Sequence, residues 1–223
     1  MPGSYPEPEK PDAILLDMDG VLYHGDSPLP GAIDFMHSIR NIPHCFITNN
    51  PIRLPKDIAD SLEKQGFERP DENRIITSGQ ATALWLSKQK EDFRYFAVGA
   101  QGLHQSLEQY GTADSNQADY VVIGEGEGLD FTSLTTGINL VLKKGAQLVS
   151  TNPDHSVDAT INGQHIILPG GGALVAPFVA ATGIEPVTIG KPNPLLYEIA
   201  VEQLGVKNKN CLMIGDRPDT DIT

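Results

Sequence analysis

The sequence predicts an α/β protein in which parallel strands are covered by helices, arranged as two units. Over the first 80 residues short apolar runs alternate with stretches of helical spacing, the order expected of a parallel sheet. A second alternating series begins near residue 93. Together the two supply more strands than one sheet of five holds, which predicts a second α/β domain. At 223 residues and 39% hydrophobic, the chain suffices for one large domain or two modest ones.

The elements follow in order. "AILLD" (13–17) is the first strand, "PGAIDFMHSIR" a helix and "HCFIT" (44–48) the second strand. The next helix carries Pro55 near its start, Ile58, Ala59 and Leu62 at helical spacing, and Gly66 as a stop. "RIITS" (74–78) is a third strand. "FRYFAVG", "YVVIG" and "AQLVST" form the second series, followed by "PVTIG", a helix "NPLLYEIAVEQLG" and a last strand "CLMIGD". No internal repeat or low-complexity tract interrupts them.

A net charge of −13 opposes nonspecific attachment to nucleic acid or an anionic membrane. The longest uncharged apolar stretch, Ala173 to Ala181, is nine residues and contains Pro177, far short of the roughly 20 that a membrane helix needs. The opening "MPGSYPEPEKP" has no apolar signal core and reads as a flexible leader, so the expected location is the cytoplasm. Cys45 and Cys211 belong to no metal-binding or disulfide pattern and read as small apolar residues of buried strands.

In open parallel sheets ligands bind beyond the carboxyl ends of the strands. Here three strands end in capable residues: Asp17 and Asp19, then Thr48-Asn49-Asn50, then Asp216, with Lys191 in "IGKPNP" before a helix. Singly each suits an ordinary turn. In order, "DMDGVLYHG", "ITNNP", "STNPD" (150–154), "GKPNP" and "GDRPDTDI" resemble the motif series of the haloacid dehalogenase (HAD) superfamily, class IIA, the NagD-like and p-nitrophenyl-phosphatase-like phosphatases. The resemblance covers residues 12–223.

That resemblance implies a Rossmann-like core with a parallel sheet, built from 12–88 and 186–223, and an inserted α/β cap of type C2 over 89–185. It implies Asp17 as the nucleophile forming an aspartyl-phosphate and Asp19 as general acid and base, a residue that superfamily members with other chemistries often lack. Thr48, Asn49 and Lys191 would hold the phosphate. Mg²⁺ would sit on the Asp17 carboxylate, the Asp19 backbone carbonyl and Asp216, with Asp221 behind them. The expected substrates are small phosphate monoesters, and a homodimer through the cap is compatible with the family. A phosphotransferase or phosphomutase would use the same residues. The family also continues past the fourth motif through a helix and an edge strand, whereas this chain stops at Thr223. A fragment, a protein without the final strand, and an inactive binding protein are the readings this leaves open.

Around this site, Tyr23 and His24 are expected at the entrance, and "TNPDHSVD" and "LPGGGALVAPF" at the substrate. Gly170 to Gly172 suit either an anion-binding nest or a plain turn. His155 reads as a solvated loop histidine within reach of the leaving group. "YVVIGEGEGLD" mimics a dinucleotide fingerprint but lacks its spacing, and Glu125 and Glu127 would repel a pyrophosphate, so it reads as a cap loop.

Overall fold

The computed structural model describes residues 10–161, 164–206 and 210–221. Of the expected leader (1–11), all but Lys10 and Pro11 lies outside them.

Strand β1 (Ala13–Leu16) is wholly buried and leads into a small hairpin, β2 (Tyr23–His24) and β3 (Ser27–Pro28). Helix α1 (Ala32–Ile39), β4 (His44–Thr48), α2 (Pro55–Lys64), β5 (Ile75–Thr77) and α3 (Ser78–Gln89) follow. Pro55 occupies the first turn of α2, where its missing N–H costs nothing. Thr77 and Gln80 cap α3 reciprocally. The chain then forms β6 (Arg94–Val98), α4 (Gln101–Glu108), β7 (Thr112–Ala113), β8 (Tyr120–Ile123), α5 (Phe131–Lys144) and β9 (Gln147–Ser150). An antiparallel ribbon, β10 (Ser156–Ile161) and β11 (Gln164–Pro169), precedes α6 (Gly171–Thr182), β12 (Val187–Thr188), α7 (Pro194–Leu204), β13 (Cys211–Ile214) and α8 (Pro218–Asp221).

Two parallel sheets result, in the orders β13-β1-β4-β5 and β12-β9-β8-β6-β7. Strand β12 lies in the segment the sequence assigns to the core, yet Val187 and Thr188 pair with Val149 and Ser150 in the second sheet. Cys211 and Cys45 sit on strands either side of β1, and both thiols are free.

Alternation along the strands sorts the apolar side chains into three layers. Ile14, Leu16, Phe46 and Ile75 face α1 and α2 on the outside of the first sheet. Val121, Ile123 and Leu148 face α5 and α6 on the outside of the second. Between the sheets, Leu15, Cys45, Ile47 and Ile76 share one continuous cluster with Tyr95, Val122 and Val149, filled by Leu86 of α3, Leu103 of α4 and Leu196 of α7. Among the described residues no helix is long and apolar enough to cross a membrane.

Candidate active site

Both sheets present their strand carboxyl ends to one cleft of about 520 Å³. The first sheet contributes Asp17 and Asp19 after β1, Thr48 to Asn50 at the end of β4, and Asp216 and Arg217 after β13; the second contributes Glu125 after β8 and Asp154 after β9. Val157, Ala159 and Leu168 of the β10–β11 ribbon form an apolar wall.

Asp17 continues β1, its N–H bonded to the Ile214 carbonyl at 2.8 Å. The Met18 N–H donates to Asp17 Oδ1 at 2.7 Å and Lys191 Nζ to Oδ2 at 2.7 Å, so the carboxylate is held from both sides. Lys191 is 2% exposed, and its Nζ also donates to Asp221 Oδ1 at 2.6 Å. Burial raises the Asp17 carboxyl above its ordinary range, with Lys191 opposing that shift by attraction and hydrogen bonding.

Oxygens of Asp17, Asp216 and Asp221 lie within 4.8 Å of one another. The sequence places Asp221 behind the ligands, but its buried carboxylate stands in this group. Gly20 makes room for Asp216 in this group: at φ +76°, any Cβ there would fall 2.1 Å from Asp216 Oδ2. A set of anionic oxygens with one buried ammonium suits a hard divalent cation.

Asp19 stands at the cleft mouth with its side chain two-thirds exposed and His24 Nδ1 3.8 Å away. Desolvation raises its carboxyl, against His24 and with the Asp216 carboxylate. Tyr23 lines the same mouth, its hydroxyl pushed up by burial to about 12. The Thr48 hydroxyl lies at the cleft and accepts the Asn50 N–H at 3.1 Å. Asn49 clamps the Lys191 backbone: its Oδ1 accepts the Lys191 N–H at 2.7 Å, and its Nδ2 donates to the Lys191 carbonyl at 3.1 Å and to Asp154 Oδ2 at 3.0 Å.

The glycine triplet is not an anion nest. The N–H of Gly170 donates to the His155 carbonyl, that of Gly171 to Asn152 Oδ1 and that of Gly172 to the Asp154 carbonyl, so all three are consumed inside the fold. The triplet instead permits close approach, since a Cβ on Gly170 or Gly172 would lie 2.2 or 2.3 Å from a carbonyl oxygen of the 153–154 turn. His155 is exposed and does not line the cleft.

The sequence places Asn152 and Asp154 only within a substrate-facing segment and gives Arg217 no role of its own. Asp154 is buried and binds Arg217 Nη1 at 3.0 Å, joining the end of β9 to the loop after β13. Their signal was available, because both lie inside the quoted stretches "STNPD" and "GDRPDTDI".

The haloacid dehalogenase-like hydrolase family model matches residues 14–113, and a second HAD-hydrolase-like model matches 188–223. Dihydroxyacetone phosphatase of Corynebacterium glutamicum is 40% identical over 214 residues, 94% of this chain and 75% of that protein. The 5'-nucleotidase YutF of Bacillus subtilis is 34% identical over 212 residues, 93% of this chain and 80% of its own. Among solved structures, NagD of Escherichia coli K-12 superposes with a TM-score of 0.84 at 28% identity, covering 95% of this chain and 82% of that one.

Proposed function

The chain belongs to the haloacid dehalogenase-like hydrolases, and on that premise we propose that it hydrolyses small phosphate monoesters through attack by the Asp17 carboxylate. The observation that carries this is the convergence on one cleft of Asp17, Asp19, Thr48, Lys191 and Asp216 from separate strand ends, with the Lys191 ammonium bonded to the attacking carboxylate.

In the first half-reaction an Asp17 oxygen bonds to phosphorus as the bond to the leaving oxygen breaks, and Asp19 donates its proton to that oxygen. In the second, water attacks the aspartyl-phosphate, Asp19 takes back a proton, and inorganic phosphate leaves with Asp17 restored. Lys191 and the Thr48 hydroxyl stabilise the phosphoryl oxygens, where charge gathers. Asn49 holds Lys191 in place through its backbone. A divalent cation, Mg²⁺ in this reading, would be held by Asp17, Asp216 and the Asp19 carbonyl with Asp221 beside them; it supplies the positive charge that lets carboxylate and phosphate approach.

The size of the cleft suits a metabolite. The names of the relatives, a dihydroxyacetone phosphatase and a 5'-nucleotidase, support sugar phosphates or nucleotides as the class to screen. The test is release of p-nitrophenol from p-nitrophenyl phosphate with Mg²⁺. Asp17→Asn is expected to reduce it to background, and full activity in that variant would reject the mechanism.

A further inference from the structure

Glu125 follows β8 in the glycine-rich stretch "GEGEG" and is 2% exposed at the edge of the cleft. Its Oε1 accepts from Asn152 Nδ2 at 2.7 Å, while Oε2 is buried without a hydrogen-bond partner among the described residues. Asn152, itself fully buried, donates from the same Nδ2 to the Asn49 carbonyl at 2.7 Å. Its Oδ1 accepts the N–H groups of Asp154 and Gly171. Every hydrogen-bonding position of the Asn152 amide is thereby directed, and Glu125 fixes one of the two Nδ2 protons.

Beyond Asn152 the relay continues through the Asn49 clamp to the Lys191 backbone, and from Lys191 Nζ to Asp17. We propose that Glu125 is a positioning residue for the phosphoryl-transfer site, setting Lys191 against Asp17 through Asn152 and Asn49 without touching the substrate. The role requires only an acceptor at Oε1. Burial raises the Glu125 carboxyl to about 7, so near neutrality the acid and the carboxylate are both present, each offers Oε1 as an acceptor, and a glutamine amide reproduces that acceptor. A placement error of about 1 Å at a reacting group can cost on the order of a hundredfold in rate, so a relay of this length can matter to turnover.

The inference rests on the phosphatase reading, and its test separates the two. Glu125→Gln is expected to keep kcat on p-nitrophenyl phosphate within about threefold of the parent, with KM unchanged. Glu125→Met, of similar volume and without an acceptor, is expected to lower kcat about tenfold or more with KM within about twofold. Amide exchange at the Lys191 N–H, bonded to Asn49 Oδ1, should accelerate in the Met variant and stay parental in the Gln variant. Parental kcat in Glu125→Met, equal losses in both variants, or a raised KM with intact kcat, which would make Glu125 a substrate contact, would each overturn it. Should Glu125→Met fail to fold, Glu125→Asp, which withdraws the carboxyl by one methylene, is read by the same criteria. If the parent hydrolyses no phosphate ester, the functional reading falls, and exchange at Lys191 still decides whether the relay exists.

Discussion

Lys191 places its ammonium within 2.7 Å of one carboxylate and 2.6 Å of another, nearly out of reach of water. Replacing it with methionine leaves Asp17 and Asp221 facing each other uncompensated, a loss of about 3–5 kcal/mol. Urea denaturation should show that deficit in EDTA and a smaller one with Mg²⁺; an equal deficit in both would mean that no cation takes up the freed charge. Glu125 predicts a dependence on pH. Its folded pKa of about 7 lies above the ordinary carboxyl value of 4.5, so the folded state holds the proton longer than the unfolded one. Its contribution is complete below about 4.5 and lost as pH rises through about 7. Glu125→Gln should therefore flatten the fall in urea midpoint between pH 5 and pH 8, and an unchanged slope would exclude that shift. The two residues differ in how readily the sequence shows them. Lys191 stands in a motif whose residue types serve phosphate chemistry, whereas the burial of Glu125 depends on Asn152, 27 positions later, and on a turn that resembles a different binding loop.

At the scale of elements, the glycine triplet that opens α6 works by absence. Gly172→Ala would drive a Cβ to 2.3 Å from the Pro153 carbonyl oxygen, and displacing that turn should cost about 1–3 kcal/mol, read as a lowered Tm. Parental stability would show that the turn moves freely. The long apolar strands of both sheets are legible as sequence because burial on two faces leaves unbroken runs such as Tyr120–Ile123. The β2–β3 and β10–β11 pairs are not: their described side chains are mostly exposed, and their pairing, such as Val157 opposite Leu168, depends on a partner strand rather than on a core. The sheet that β12 joins is hidden for a related reason. Two residues carry too little periodicity to reveal which sheet they join.

For the whole molecule, the middle layer decides how the two sheets behave together. Leu15 and Ile47 of one sheet and Val122 and Val149 of the other lie in a single apolar cluster, so neither sheet can unfold without exposing the face of its neighbour. Scanning calorimetry should show one transition with matching calorimetric and van't Hoff enthalpies, and two resolved transitions would contradict the shared layer. The alternation of strand and helix discloses two units; the cluster between them is a product of side-chain alternation on both sheets and has no local signature. The pairing of β1 also bears on how the protein is made. One neighbour of β1, β4, leaves the ribosome about 30 residues later, but the other, β13, follows about 200 residues behind. At roughly 5–20 residues per second, the strand that delivers Asp17 waits on the order of ten seconds or more with one edge bare. The nascent chain thus carries Asp17 long before Asp216 and Asp221 exist to join it, and the three carboxylates can gather only once residue 221 has emerged.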